Sequence, residues 1–197
     1  MPVTFAASTI IAQAFSMVEL SAPSSFGDDS DQARDATLHY DSAIDMCLEW
    51  TDWSFASRMV TLPAASLPSG TAADPRLPYV YALPGDCVML RELTDTAVRY
   101  RLDEGYLRAD APAPLGIRYT RRVQDESRLP ATFRAAVALQ LAVLMAPRWL
   151  GVETKRASLA NALDELRRRC SKSDARTASP APYGEAQITD WVSEALR

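Results

Sequence analysis

The hydrophobic pattern of the chain changes twice, and this change limits the possible folds more than any other feature. Apolar residues recur at helical spacing up to about residue 53, alternate in short strand-like runs over 54–129, and return to helical spacing from residue 130. Helices and strands in separate stretches indicate an α+β fold. We therefore predict a helical bundle of about four main helices, with an antiparallel β-strand insertion and a C-terminal docking tail.

Two helices are predicted before the β section. The first covers residues 4–20 and can be capped by Thr4; a segment with Pro23 and Gly27 then interrupts the pattern. The second covers 31–50, with Ser30 or Asp31 as its cap. Four acidic residues fall off the apolar stripe of this second helix, so we expect them to be solvated or to face a partner. These residues are Asp35, Asp41, Asp45 and Glu49.

The β-rich section, 54–129, has the two-faced alternation of antiparallel strands. Val98, Tyr100 and Leu102 alternate with Arg99 and Arg101, which predicts one buried and one wet face. Gly105 follows this run and predicts a hairpin turn. The six expected strands cover 55–62, 80–83, 87–93, 98–102, 106–109 and 117–123.

The segment 63–78 is too rich in Pro and Ala to be a strand and is predicted to form a long exposed loop. Loops of this length in a compact domain are often functional or ordered by a partner. The residues that could meet a partner there are Leu67, Pro68, Arg76 and Leu77.

Two more helices are predicted at 130–147 and 152–170. The former is apolar nearly all round, which is typical of the central helix of a bundle, and the latter ends in a basic run that includes Arg167 and Arg168. We place the main domain at 1–172, and a linker with an amphipathic tail at 173–197. The tail can dock on its own domain or on another protein, and its apolar residues are Ile188, Trp191, Val192 and Leu196.

Composition argues against several kinds of chemistry. The chain has one His, seven Gly and three widely spaced Cys, so zinc sites with several His ligands, phosphate-binding glycine loops and disulfide frameworks are not expected. The acids at 28–35 lack the Gly and Glu positions of a calcium-binding loop. We predict no catalytic residues, no metal and no cofactor, and hence no enzyme.

No signal peptide or membrane segment is expected either. No Arg or Lys precedes the first apolar run, and the longest apolar stretch, 135–146, is shorter than the roughly 20 residues that span a bilayer. The expected setting is soluble, with no membrane partner.

Charge is distributed unevenly along the chain. Residues 1–60 carry nine acids and two bases, 61–129 carry nine of each, and 130–197 carry seven acids and ten bases. Eight Arg between Arg91 and Arg128 would line one sheet face with guanidinium groups. Such a face can contact DNA, but Arg also pairs with carboxylates in a bidentate way, and the chain has a net charge of −4. We favour protein partners over DNA.

Three stretches, 46–62, 79–93 and 117–146, resemble the head–tail adaptor (connector) proteins of tailed bacteriophages and of phage-derived gene transfer agents. They include CLEWTDWSFASRMVTL, YALPGDCVMLREL and IRYTRRVQDESRLPATFRAAVALQLAVLMA. The last one follows a recurrent order in that family: an aromatic strand, Arg, a short acidic turn, Leu-Pro and an apolar helix.

The resemblance implies a structural role in the neck of a virion or phage-like particle, with synthesis in the bacterial cytoplasm. Such adaptors form a ring, commonly of twelve copies, beneath the portal protein. The ring extends the channel for double-stranded DNA and carries a stopper or tail-completion protein. In several members a C-terminal segment docks on the portal, which would make residues 188–196 an anchor.

A ring also offers an explanation for the charge distribution. One side of each subunit meets the opposite side of the next, so an acidic flank and a basic flank would favour head-to-tail closure. The acidic candidates are the four acids of the second helix, and the basic candidates are Arg99, Arg101, Arg118, Arg122, Arg167 and Arg168. A DNA-binding regulator that uses the Arg-rich strands, and an enzyme with an unrecognised site, stay open as alternatives.

Overall fold

The computed structural model describes residues 8–25, 28–67, 72–103, 105–123 and 125–177, with side chains up to residue 170. The fold is α+β, as predicted, with four helices and two small antiparallel sheets in these residues. The helices are α1 (Thr9–Met17), α2 (Asp31–Glu49), α3 (Ala131–Trp149) and α4 (Glu153–Thr177). The strands are β1 (Ser57–Leu62), β2 (Tyr79–Ala82), β3 (Cys87–Leu93), β4 (Tyr100–Asp103), β5 (Tyr106–Ala109) and β6 (Leu115–Arg121), and short 3-10 helices cover Ser54–Ala56 and Glu126–Arg128.

The helices form a bundle with α3 at its centre. α3 packs against α1, α2 and α4, because apolar side chains cover most of its circumference. Phe133 of α3 contacts the rings of Trp53 and Phe55 edge-on, at centroid distances of 5.0 and 4.9 Å. This aromatic cluster joins the bundle to the chain that enters the first sheet.

α1 begins later than the sequence pattern predicts. Ser8 is its N-cap, and the Ser8 hydroxyl accepts a hydrogen bond from the Ile11 N–H at 3.2 Å. The helix therefore runs from Thr9 to Met17 rather than from residue 4 to 20, and Thr4, the expected cap, lies outside the described residues. For α2, Ser30 is the cap and accepts from the Ala33 N–H.

The six strands form two three-stranded sheets, in the orders β1-β6-β3 and β2-β5-β4. One face of each sheet contributes to a shared second core, whose buried residues include Tyr81, Leu107, Ile117 and Tyr119. β6 shows the predicted alternation in part: Ile117 and Tyr119 are buried and Arg118 between them is half-buried, but Thr120 on the expected wet face is buried as well. The β section thus has its own core beside the bundle.

β4 does not have the predicted buried face. Tyr100 and Leu102 are 45% and 48% exposed, because β4 is an edge strand and its apolar side chains project past the shared core. The turn that follows β4 is formed as expected, with Gly105 at a φ of 82°, a backbone conformation that favours glycine.

α4 is longer than predicted. It continues to Thr177, seven residues beyond the expected end at Cys170, so it crosses the proposed boundary between 172 and 173. The expected tail residues Ile188, Trp191, Val192 and Leu196 lie outside the described residues. None of the described helices combines the length and apolarity that a membrane span requires.

Candidate interaction surfaces

Asp35 is not on an exposed acidic face of α2, which corrects the expectation that it is solvated or faces a partner. It is 5% exposed, and its Oδ2 accepts a hydrogen bond from Trp149 Nε1 at 2.8 Å. Arg148 Nη1 and His39 Nε2 lie 3.6 and 3.8 Å from its Oδ1. The end of α3 crosses the start of α2, so Asp35 already has partners within the chain.

Asp41 and Asp45 share one guanidinium, that of Arg122. Arg122 Nε lies 2.9 Å from Asp45 Oδ1, although the two atoms are not aligned for a hydrogen bond, and Arg122 Nη2 lies 3.5 Å from Asp41 Oδ1. Burial raises the pKa of Asp45, the negative charges of Asp41 and Glu49 add to this rise, and Arg122 opposes it. This face of α2 therefore carries more negative charge than Arg122 neutralises, with Asp41 and Glu49 exposed.

Arg91 joins the first sheet to the C-terminal end of α2. Its Nη2 donates to the carbonyl oxygens of Leu48 and Thr51 at 2.9 and 2.5 Å, and its Nε donates to Thr120 Oγ1 at 2.7 Å. Carbonyls at a helix end lack partners within the helix, so a cation there satisfies them and suits the helix dipole.

Arg118 belongs to the same junction. Its Nε donates to Glu92 Oε1 at 2.6 Å, and its Nη1 pairs with Asp52 in the segment between α2 and β1. These carboxylates raise the pKa of the Arg118 guanidinium. Arg118 was expected to face a neighbouring subunit, but its two carboxylate partners are in its own chain.

The second sheet also neutralises its arginines internally. Arg99 pairs with Asp110 at 2.8 Å, and Arg101 pairs with Asp103 at 2.7 Å. Buried Arg108 lies 3.1 Å from the same Asp103. The expected row of guanidinium groups is therefore a set of alternating charges.

The loop 63–78 is held to this sheet in part. Arg108 Nη1 donates to the Ala72 carbonyl at 3.1 Å, and Arg101 Nη1 lies 3.4 Å from Asp74 Oδ2. The loop residues singled out from the sequence differ in exposure. Leu67 and Arg76 are exposed, Leu77 is half-buried, and Pro68 lies outside the described residues.

The basic end of α4 contacts the end of α2. The guanidinium of Arg167 lies over the Trp50 ring, 5.7 Å from its centroid, and Arg168 is exposed. Of the basic interface candidates, Arg168 alone has no ion pair, hydrogen bond or ring contact with the described residues.

Glu126 is a buried carboxylate that the sequence analysis did not select. It accepts hydrogen bonds from Thr9 Oγ1, the Ile10 N–H and Tyr40 Oη, at 3.0, 3.3 and 3.1 Å. Burial, the charge of Glu126 and the hydrogen bond to it raise the pKa of Tyr40. The acidic turn before α3 was visible in the sequence, but its position at the start of α1 depends on tertiary packing.

Two open clefts are present in the described part of the molecule. One, of about 690 Å³, lies at the end of the sheets and is lined mainly by apolar and small residues, including Met59, Val98 and Pro112. The other, of about 430 Å³, lies beside the end of β6 and contains three arginines.

The described residues contain no cluster of three or more His, Cys, Asp or Glu that could hold a metal ion. Cys47 and Cys170 are buried in the bundle, and burial raises the pKa of both thiols, which keeps them in the less nucleophilic protonated form.

The chain matches no protein-family model and no curated protein sequence.

Proposed function

We propose that the chain is a structural head–tail adaptor that forms a ring beneath a portal protein. Its copies would extend the DNA channel in the neck of a tailed phage or phage-like particle. The other face of the ring would receive a stopper or tail-completion protein. The proposal assigns no reaction to the chain.

The observation that carries the proposal is the meeting of the three stretches that resemble adaptors. The stretch 46–62 contains Trp53 and Phe55, and the stretch 117–146 contains Phe133, which packs on both rings. The stretch 79–93 contains Arg91, which satisfies the end of α2. The resemblance therefore covers one continuous junction between the bundle and the sheets.

Contacts between copies would use charges that have no partner within the chain. Since Asp35, Asp45, Arg99 and Arg118 are paired internally, the better candidates are the exposed Glu49 of α2 and the exposed Arg168 of α4. Both lie where α4 meets the end of α2, next to Arg167 and Trp50, so each would pair with an opposite charge on a neighbouring copy.

The DNA-binding alternative receives less support. Seven of the eight arginines from Arg91 to Arg128 have acceptors in the chain, and Arg121 is the exception among the described residues. A duplex-binding surface needs guanidinium groups that are available to phosphates.

Ring formation can be tested with Glu49→Lys, which reverses one exposed charge and leaves the Asp45–Arg122 pair intact. Asp164→Lys is the matched control, since Asp164 is an exposed acid on α4. We expect Glu49→Lys to reduce ring formation on the purified portal protein of the same genome, as counted in negative-stain images. Equal reduction by both variants would argue against a role of the α2 face.

The tail can be tested separately by ending the chain after residue 179. We expect the truncated protein to keep its fold and to be lost from particle necks. Unchanged occupancy of the neck would remove the docking role from residues 188–196.

A further inference from the structure

Three arginines converge on one cleft beside the end of β6. The cleft, about 430 Å³, lies between the turn that precedes β3 and the segment that leads to α3. We call it the arginine cleft, and its lining residues are Gly85, Asp86, Arg121, Arg122, Val123, Asp125 and Arg128.

The two carboxylates of the arginine cleft already have hydrogen-bond or ion-pair partners within the chain. Asp86 accepts from Tyr119 Oη at 2.9 Å and lies 3.3 Å from Arg58 Nη1. Asp125 Oδ1 accepts from the N–H and hydroxyl of Ser127, at 3.0 and 2.6 Å. Asp86 is thus held by side chains of β6 and β1, and Asp125 is part of a local turn.

The three guanidinium groups of the arginine cleft have fewer partners within the chain than they have N–H donors. Arg122 reaches Asp45 and Asp41 through Nε and Nη2, and Arg128 meets Asp125 only at 3.4 Å. Arg121 makes no side-chain hydrogen bond or ion pair with any described residue. The cleft therefore has more donors than its own acceptors satisfy.

We infer that the arginine cleft binds an acidic peptide segment, with Arg121 and Arg128 holding its carboxylates. Guanidinium forks match carboxylates in a bidentate geometry. Asp86 and Asp125, at fixed positions in the same cleft, repel the closely spaced phosphates of a nucleic-acid backbone more than they repel a single carboxylate. The net charge of −4 of the whole chain also disfavours a long polyanion.

This inference does not rest on the adaptor proposal. An acidic segment can come from a second copy of the chain or from a different protein, and the chemistry of the cleft is the same for both. A chain that forms no ring can still bind such a segment.

The test is the binding of a fluorescein-labelled peptide with two separated glutamates, Ala-Glu-Ala-Ala-Glu-Ala, to the full chain, measured by fluorescence anisotropy at low salt. Arg121→Gln removes the arginine that has no side-chain partner among the described residues, and it breaks no hydrogen bond or ion pair there. Arg76→Gln is the matched control, because Arg76 is an exposed arginine in the loop 63–78 and outside the cleft. We expect Arg121→Gln to weaken binding about fivefold and the control to leave it unchanged.

Adding Arg128→Gln to Arg121→Gln should weaken peptide binding further. Analytical sedimentation of the unlabelled proteins shows whether the acidic segment comes from a second copy or from a different protein. Self-association that Arg121→Gln reduces assigns the segment to a second copy. Without such self-association, the segment belongs to a different protein. The inference is overturned if the wild-type chain does not bind the two-glutamate peptide, or if Arg121→Gln and Arg76→Gln bind it equally. It is also overturned if a 20-base-pair duplex displaces the peptide and depends on Arg121 in the same way.

Discussion

The bundle and the sheets differ in how many apolar side chains they bury. Among the described residues, the bundle core contains 24 buried apolar residues, and the core between the sheets contains eight. Ion pairs between partly exposed side chains occur in both regions, for example Arg99–Asp110 in the sheets and Arg148–Asp31 in the bundle. Exposed ion pairs contribute little to stability, whereas apolar burial contributes much. The bundle, which has the larger apolar core, is therefore the more stable of the two regions.

The junction between them is where the two regions depend on each other. Arg91 reaches from β3 to the end of α2, and irregularities in the pairing of β3 with β6 flank both Val88 and Arg91. Val88 packs against the bundle core as a result. The sheets are attached by a few specific contacts, so we expect that they can be perturbed without loss of the bundle.

The largest expected effect tests this difference directly. Phe133→Ala removes the ring at the centre of the aromatic cluster and should cost about 4 kcal/mol of unfolding free energy, with loss of the whole fold. Leu107→Ala in the second core should lower the free energy of unfolding by about 3 kcal/mol. Its amide protons in the sheets should then exchange faster than those in the bundle. Urea denaturation combined with amide hydrogen exchange measures both. Equal deprotection of bundle and sheets by Leu107→Ala would contradict two separable cores.

A smaller effect is expected at the junction. Arg91→Met keeps much of the side-chain volume but leaves the carbonyls of Leu48 and Thr51 without their donor, and should cost about 2 kcal/mol. Arg121→Met is the control, since Arg121 has no such partner among the described residues, and should change stability by less than about 0.5 kcal/mol. Chemical denaturation of the wild-type chain and the two variants measures these free energies of unfolding. Equal losses of stability in the two variants would mean that Arg91 does not link the bundle and the sheets.

The smallest expected effect is the pH dependence of stability that Asp28 contributes in the segment before α2. Hydrogen bonds from the hydroxyls of Ser24 and Ser25 lower the pKa of Asp28 to about 2. The contribution of Asp28 to stability is therefore present above about pH 4 and is lost as the pH falls towards 2. A carboxyl NMR titration should show this low pKa, and Ser24→Ala should raise it. An ordinary pKa for Asp28 in the wild-type chain would contradict the hydrogen-bonded turn.

The sequence alone predicted the structure correctly where local periodicity determines it. The α+β class, the central position of α3 and the Gly105 turn depend on spacing and on single residues. It was insufficient where distant residues meet. Asp35 falls off the apolar stripe of α2 but is buried because Trp149 donates to it from α3. Tyr100 and Leu102 alternate correctly, yet an edge strand leaves them exposed.

The charged surfaces show the same limit. The sequence identified the arginines of the β section and the acids of α2, and their partners were assigned to a neighbouring subunit. The fold brings Asp45 next to Arg122 and Asp52 next to Arg118 within one chain. Pairing of this kind depends on how the sheets sit on the bundle, which no spacing rule contains. Because these charges are paired within the chain, the proposed contacts between copies are assigned to Glu49 and Arg168 instead.

The adaptor proposal is tested most directly by imaging the purified chain with the portal protein of the same genome. Class averages from electron microscopy should show an added ring on one face of the portal, coaxial with its channel. A portal that stays bare when the folded chain is in excess would contradict the proposal.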